Sequence, residues 1–340
     1  MDQVSIIGID LAKNSFQLHG ARADGSVAFR KKLSRGKVLD FLAAQPSCVV
    51  AMEACASAHY WGRETEKLGH DVKLIPPIYV KPFVKRHKND TTDAEATSEA
   101  AQRPTMHLVA VKTEEQQARG MLFRTRDLLV RQRTQTINAL RGHLAEFGVV
   151  APQGPAHVGR LASALDDPGS GLPDPVRELG RLLLEQIAGL GEKISGLKKE
   201  LHASARQDEE ASRLMTIPGI GPITAMAFQA FAPPMVSFRR GRDFAAWLGL
   251  VPRQHSTGGK PKLGKISKMG QRDLRRLLIT GAMAVVKQAI RRGETADPWL
   301  ARMLARKPRM LVAVALANRM ARITWALMTK EEIYRAPAAA

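Results

Sequence analysis

Two short apolar runs near the N-terminus each end in an acidic residue, and this pattern constrains the fold more than any other feature. Val4–Asp10 ends in Gly-Ile-Asp, and Cys48–Met52 is followed directly by Glu53. Apolar runs of this length, bounded by polar residues, predict buried strands. Because an ionised side chain is costly to bury, we expect both acids at strand ends, close to one edge of a sheet.

The first 111 residues alternate strand and helix signals, which predicts a mixed α/β layer forming one domain over 1–111. Asp24-Gly25 separates two of the strand signals and indicates a hairpin, because this dipeptide tolerates the turn geometry. The predicted elements are strands over 4–10, 16–20, 27–31, 48–52 and 72–75, and helices over 34–45 and 58–68.

The rest of the chain is predicted to be mainly helical, so the fold class is α/β plus all-α. A basic helical segment covers 112–205 and contains a linker rich in Pro and Gly over 151–175. A final helical domain covers 206–340, with a loop crowded with Gly, Lys and Ser over 252–270.

An apolar seam in the middle segment has alternating spacings of four and three, which is typical of a coiled coil. An antiparallel helical hairpin, a dimer contact and ordinary bundle packing all agree with this spacing. The seam consists of Leu183, Ile187, Leu190, Ile194, Leu197 and Leu201.

The net charge points to a polyanionic partner. Fifty-two Lys and Arg against thirty-two Asp and Glu give +20, and basic surfaces bind phosphate backbones by releasing counterions. The N-terminus has no signal-peptide pattern, and charged residues interrupt the apolar stretch 311–328, so we expect no membrane partner and a cytoplasmic, nucleoid-associated protein. Cys48 and Cys55 indicate neither a zinc cluster nor a disulfide framework.

Four acids are candidate ligands of a magnesium ion. Asp90 and Asp93 lie three residues apart at the start of a predicted helix, which places them on one helix face. If they converge with Asp10 and Glu53, a cation must offset their repulsion, and hard divalent ions prefer oxygen ligands. The alternative for Asp90 and Asp93 is helix capping.

The motifs that carry these acids resemble the acidic tetrad of RuvC-like, RNase H-fold domains. They are Gly8-Ile9-Asp10, Met52-Glu53-Ala54-Cys55 and Asp90-x-x-Asp93. The downstream segment 249–259, together with Gly264-x-Ile266-x-Lys268-x-Gly270, resembles the C-terminal domain of insertion-sequence family 110 transposases. The chain looks closest to the 1111 subgroup of that family, and the resemblance covers nearly its whole length.

This resemblance implies an RNA-guided DNA transposase. The family's acidic tetrad binds Mg²⁺, a C-terminal serine forms a covalent link to DNA, and a structured RNA from the element's noncoding flank guides the reaction. Ser256 is the position assigned to that serine, with neighbouring Thr257 as the alternative hydroxyl. The implied partners are DNA at the element ends and target, the guide RNA, and further copies of the chain in a dimer or tetramer. Two other functions remain open, a structure-selective endonuclease using metal-activated water and a non-catalytic nucleic-acid-binding protein.

Several residues are candidates for contacts with nucleic acid. Gly219 and Gly221 lie in a turn that resembles a helix-hairpin-helix, where glycine lets the backbone approach a phosphate; a tight turn between packed helices is the alternative. A second basic surface, suggested for RNA, carries Arg124, Arg126, Arg131, Arg133 and Arg141. The main basic stretch contributes Arg253, Lys260, Lys262, Lys265, Lys268, Arg272, Arg275 and Arg276.

Overall fold

The N-terminal part of the chain is organised around a five-stranded mixed sheet in the order β3-β2-β1-β4-β5. Strands β1 to β3 are antiparallel, whereas β1, β4 and β5 are parallel. Each strand coincides with a predicted one, so the mixed α/β layer is confirmed. The strands are β1 Ile6–Asp10, β2 Ser15–Ala21, β3 Val27–Ser34, β4 Val49–Glu53 and β5 Asp71–Ile75.

This computed structural model describes residues 3–85, 90–293 and 297–336, and of Asp90 only the main chain. The chain divides into two units, Met1–Gln117 and Ala118–Ala340, each with its own core.

Helices cover both faces of the N-terminal sheet. One face packs its apolar side chains, including Ile9 and Met52, against the first two helices. The other face packs Ile6 and Ala51 against Ala96 of the fourth. The predicted helix over 34–45 begins with a 3-10 turn at Arg35–Lys37. The helices are α1 Val38–Ala43, α2 Ala58–Lys67, α3 Pro77–Val80 and α4 Asp90–Ala101.

The second unit is mainly helical, as predicted. Its largest core contains Phe228, Phe244, Leu278 and Val312, all fully buried. The first of its helices, α5 Glu114–Ala145, begins just before the unit boundary. The others are α6 Val158–Asp166, α7 Asp174–Gln207, α8 Glu209–Met215, α9 Pro222–Phe231, α10 Gly241–Trp247, α11 Arg272–Arg292, α12 Pro298–Arg306 and α13 Arg309–Lys330.

The apolar seam of the middle segment lies on α7, and residues towards both of its ends pack against other helices of the chain. Ile187 shares a buried cluster with Ile137 of α5. Near the other end of α7, Leu201 shares the main core with Phe123, which lies near the start of α5. The two helices therefore run antiparallel, in agreement with the hairpin alternative.

The segment predicted as a linker over 151–175 is packed. It contains α6, whose Leu161 and Leu165 are fully buried. Arg177 donates a hydrogen bond of 2.7 Å to the carbonyl oxygen of Leu165. Proline and glycine form the turns on either side of this short helix. Their frequency predicts a linker, because composition alone does not show that the helix between them is buried.

The longest apolar helix, α13, belongs to the core of its unit. By length and composition it could cross a membrane. Several of its side chains, including Val312, Leu316 and Met320, are nevertheless buried against neighbouring helices. Such packing is expected of the central helix of a bundle.

Candidate functional site

Asp10 and Glu53 end neighbouring parallel strands on the same face of the sheet. Ile9 of β1 lies opposite Met52 of β4, so the next residue on each strand is an acid. Side chains alternate between faces along a strand. Because Ile9 and Met52 pack on the face covered by α1 and α2, both acids lie on the opposite face, which α4 covers. Both are half-buried.

Glycine at position 8 lets α4 lie directly on β1. A Cβ atom there would be 2.2 Å from the carbonyl oxygen of Ala94 and 2.7 Å from the amide nitrogen of Ser98. Any side chain would therefore push the helix away from the sheet. Asp93, the residue before Ala94, is half-buried.

The direction of α4 brings its N-terminus towards the acid-bearing end of β1. Ile6 shares a buried cluster with Ala100 and Ala101, whereas Gly8 contacts Ala94 nearer the helix start. The helix therefore runs opposite to the strand. The positive end of its dipole then lies on the side of the carboxylates, where it stabilises negative charge.

Both carboxylates influence one neighbouring thiol. Desolvation raises the pKa of Cys55, and the negative charges of Glu53 and, more weakly, Asp10 raise it further. A charge acts on a titrating group only over a short range. The exposed Cys55 side chain therefore lies within the field of both acids.

The four predicted metal ligands are only partly described. Asp10, Glu53 and Asp93 belong to one face of the sheet and its covering helix, and the side chain of Asp90 lies outside the described residues. Within the described part of the chain, no three His, Cys, Asp or Glu side chains are grouped closely enough to hold a metal ion. The arrangement of the acids towards Mg²⁺ thus remains a prediction.

Ser256 lies on a two-stranded hairpin, whereas the sequence predicts a loop over 252–270. The strands are β6 Pro252–Gln254 and β7 Leu263–Ile266. The hairpin lacks an apolar alternation because all of its side chains except that of Ile266 are exposed, so no periodic signal marked it.

The tip of this hairpin is a tight two-residue turn. Gly258 and Gly259 have φ angles of 55° and 74°, and the amide of Lys260 donates to the carbonyl of Thr257 at 3.1 Å. Two consecutive positive φ angles define a turn that fits the twist of antiparallel strands and that glycine adopts without strain.

The hydroxyl oxygen of Ser256 accepts two hydrogen bonds. The backbone N–H of Lys262 donates at 3.2 Å and the side-chain amide of Gln254 at 3.1 Å. Both partners belong to the hairpin, so the position of this exposed oxygen is set locally. Gln254 is not identifiable from the sequence, because its contact with Ser256 depends on a strand pairing that leaves no apolar pattern.

The predicted nucleic-acid-binding residues fall into two groups. Most are exposed, namely Arg253, Lys260, Lys262, Lys265, Lys268, Arg272 and Arg276. Arg275, in contrast, is buried, and its guanidinium donates to the carbonyl oxygens of Leu248 at 2.9 Å and Met269 at 3.1 Å. Burial, and the positive charge of Arg272, lower the pKa of Arg275. This placement corrects the prediction for Arg275, which holds two loops together. The sequence does not distinguish Arg275 from the exposed cations beside it, because its burial depends on the face of α11 that it occupies.

The two glycines of the turn before α9 have different surroundings. Gly219 has a φ of 89°, and a Cβ atom there would lie 2.8 Å from the carbonyl oxygen of Gly281 in α11. Its backbone therefore contacts a helix, in agreement with the tight-turn alternative. Gly221 is exposed, with nothing within 4 Å of the corresponding position, and it precedes the first turn of α9.

Comparison with known proteins covers both units. A model described as the transposase IS116/IS110/IS902 family matches residues 211–296. A second model, DEDD_Tnp_IS110, described as a transposase, matches residues 7–148.

Similar full-length proteins are transposases by name. A probable family 20 transposase of Pseudomonas aeruginosa is 48% identical over 98% of this chain and 99% of its own length. The transposase for insertion sequence element IS1328 of Yersinia enterocolitica is 43% identical over the same shares. The transposase for IS1111A of Coxiella burnetii is 38% identical over 98% of this chain and 92% of its own length. The chain therefore belongs to the IS110/IS116/IS902 family of insertion-sequence transposases.

Proposed function

We propose that this transposase cuts and rejoins DNA through a covalent serine–DNA intermediate, with Ser256 as the nucleophile and carboxylates holding Mg²⁺. The observation that carries the proposal is the pairing of Asp10 and Glu53 at the ends of adjacent parallel strands, beneath a helix that begins with Asp90 and Asp93. The name of the matched DEDD model supports it, because the same four letters give the order of these acids along the chain.

The donor set fits a hard divalent cation. Asp10 and Glu53 supply carboxylate oxygens from half-buried positions on a fixed sheet, and Asp90 and Asp93 would complete the ligands from α4. Bound there, Mg²⁺ would offset negative charge on a phosphate. The strand register holds the Asp10 and Glu53 backbones at adjacent positions before any ligand arrives.

The covalent step conserves the number of phosphodiester bonds. The Ser256 oxygen forms a bond to phosphorus while one P–O bond of the DNA backbone breaks. The serine proton passes to a base, and the departing DNA oxygen takes up a proton. The link between serine and DNA is itself a phosphodiester. A different DNA end can therefore displace the serine and restore the DNA backbone.

The contacts of Ser256 determine how its oxygen can attack. The oxygen accepts hydrogen bonds from Lys262 and Gln254, so its own proton is directed away from both donors. When a base takes this proton, the electron pair of the O–H bond can attack phosphorus while both hydrogen bonds keep the oxygen in place. The Lys262 donor belongs to the hairpin backbone, so Gln254 is the residue whose side chain orients the oxygen. We therefore assign Gln254 as a positioning residue.

The proposal includes a structured RNA from the flank of the element as guide. The net charge of +20 supports a polyanionic partner. Aromatic residues make up only 5% of the chain, which favours backbone contacts over extensive base stacking. Sequence would then be read by base pairing with the guide.

A covalent-adduct assay tests the mechanism. The purified full-length chain would be incubated with Mg²⁺, labelled DNA of the element ends and transcribed flanking RNA, and then run on a denaturing gel. We expect an adduct that requires RNA and is lost in Ser256→Ala and Asp10→Asn but retained in the matched neighbour Thr257→Ala. Cleavage without an adduct, unchanged in Ser256→Ala, would instead establish an endonuclease that uses water. Binding without any Mg²⁺-dependent strand breakage would establish a non-catalytic binding protein.

We further propose that the protein acts as a homo-oligomer. Mixing the two inactive variants Asp10→Asn and Ser256→Ala tests whether subunits share a site. Recovery of the adduct would mean that one subunit supplies the carboxylates and another the serine. Without recovery, each active site is built within one subunit, and light scattering on the mixture would give the number of copies.

A further inference from the structure

A cleft in the second unit brings together arginines from two helices that are far apart in sequence. It has a volume of about 310 Å³ and lies between α5, α9 and α11. Five arginines and two aspartates line it, an excess of three positive charges. The arginines are Arg124, Arg126 and Arg131 of α5 and Arg272 and Arg276 of α11.

The two aspartates of the cleft already have partners. Asp127 accepts a hydrogen bond from Arg276 and lies 3.7 Å from Arg131. Asp273 lies 3.8 Å from Arg276. Both acids therefore neutralise the same side of the cleft.

The other arginines of the cleft form no ion pair with either aspartate. Among the residues that the structure describes, no acidic oxygen lies within 4 Å of the guanidinium groups of Arg124, Arg126 or Arg272. Arg126 is half-buried. Among the described residues, its buried Nε atom has no hydrogen-bond partner. Burial and, to a smaller extent, the positive charge of Arg276 lower the pKa of Arg126, and the negative charge of Asp127 partly offsets them.

One helix begins at this cleft, because Arg272 is the first residue of α11, whereas α9 runs along it from Ile223 to its last residue, Phe231. Helix N-termini carry unpaired N–H groups and a partial positive charge, both of which favour phosphate. The floor contributes apolar surface from Phe123, Phe231 and Leu277, which excludes water from an ion pair.

We propose that this cleft binds a backbone phosphate of nucleic acid, with Arg124, Arg126 and Arg272 as its contacts. The planar guanidinium matches two phosphate oxygens at once, and several such groups around one cavity suit a phosphodiester better than a single carboxylate. Asp127 competes with the phosphate for Arg276 and therefore limits the affinity. The phosphate belongs to DNA or to RNA, and the test separates the two.

The test measures binding without Mg²⁺, so that its outcome is independent of strand cleavage. Fluorescence anisotropy would give the affinity of the full-length protein for labelled element-end DNA and for labelled flanking RNA over a series of salt concentrations. The variant Arg124→Gln/Arg272→Gln changes two exposed residues. We expect it to weaken binding of one of the two nucleic acids and to reduce the salt slope by about 1 for each phosphate that the variant no longer neutralises.

A control and a variant of opposite sign make the test decisive. Arg302→Gln/Arg306→Gln removes the same charge from exposed positions of α12 that do not line the cleft. Asp127→Asn should instead tighten binding several-fold, because it removes a competing anion and releases Arg276. Loss of affinity confined to DNA or to RNA identifies the ligand. If the cleft variant and the α12 control give equal affinities and slopes with both nucleic acids, the proposal is wrong.

Arg126→Gln is the second variant, because its buried Nε makes it the most specific probe. Its thermal unfolding would be compared with that of the unmodified protein before binding is measured. A folded Arg126→Gln protein that binds both nucleic acids as the unmodified protein does would also overturn the proposal.

Discussion

The acid-bearing sheet face and the serine hairpin hold their chemical groups in opposite ways. Asp10 and Glu53 are fixed by strand register and by a helix packed against Gly8, so their positions depend on the whole N-terminal core. Ser256 is exposed and is held by two hydrogen bonds within its own hairpin. The comparison teaches that damage to the fold should displace the carboxylates, whereas the hydroxyl can be altered while the fold remains intact.

The largest expected effect is at Gly8. Gly8→Val should lower the free energy of unfolding by about 3 kcal/mol, because its side chain would overlap the backbone of α4. Urea unfolding followed by circular dichroism gives the value. Gly36→Ala is the matched control, since nothing lies within 4 Å of a Cβ atom there. Equal stabilities of the two variants would show that α4 does not depend on a close approach at Gly8.

Arg275 should come next, at the base of the serine hairpin. Arg275→Gln should cost about 2 kcal/mol, because the carbonyls of Leu248 and Met269 lose their donor in a buried site. Arg276→Gln, one residue along and exposed, should change stability by less than about 0.5 kcal/mol. Thermal unfolding of the pair separates the roles. A larger cost for Arg276→Gln would reverse our assignment of Arg275 as the structural residue.

A smaller, local effect is expected at the hairpin tip. Gly259→Val should destabilise the turn by about 1 kcal/mol, because a branched side chain is strained at a φ of 74°. Gly259→Asn should cost less, since asparagine tolerates this conformation. Hydrogen exchange of the Lys260 amide, which donates to Thr257, reports the opening of the turn. The unfolding temperature should stay constant in both variants, and a large decrease would mean that the hairpin is part of the core.

The smallest effect concerns the Cys55 thiol. Because the charges of Glu53 and Asp10 help to raise its pKa, Glu53→Gln and, more weakly, Asp10→Asn should lower that pKa and speed alkylation a few-fold at mildly alkaline pH. Desolvation remains the main cause, so the shift is partial. Cys48 serves as an internal reference, since burial raises its pKa to about 11. An unchanged rate in Glu53→Gln would place the carboxylates outside the range of the thiol.

The sheet was predictable from the sequence because burial leaves a local signal. Apolar runs identified β1, β4 and β5, and the Asp24-Gly25 turn between two further segments identified β2 and β3. The acids that follow two of the apolar runs identified Asp10 and Glu53 as neighbours at one edge. The contact between Gly8 and α4 was not predictable, because it joins residues more than eighty apart and depends on the path between them.

Other features could not be predicted, because their sequence patterns are typical of different structures. The exposed strands around Ser256 have no alternation of apolar residues, so their sequence predicts a loop. The buried Arg275 lies in a run of exposed cations, and only the face of α11 that it occupies sets it apart. The cleft between α5 and α11 joins two basic segments that the sequence presents separately.

The base of the serine hairpin is closed by contacts between backbone atoms. A Cβ atom at Gly249 would lie 2.0 Å from the carbonyl oxygen of Met269, and one at Gly270 would lie 1.8 Å from that of Trp247. The tip, in contrast, is exposed from His255 to Lys262. Exposed side chains around Ser256 can therefore be exchanged without disturbing the backbone contacts that close the base, which makes the hairpin a suitable place for protein engineering.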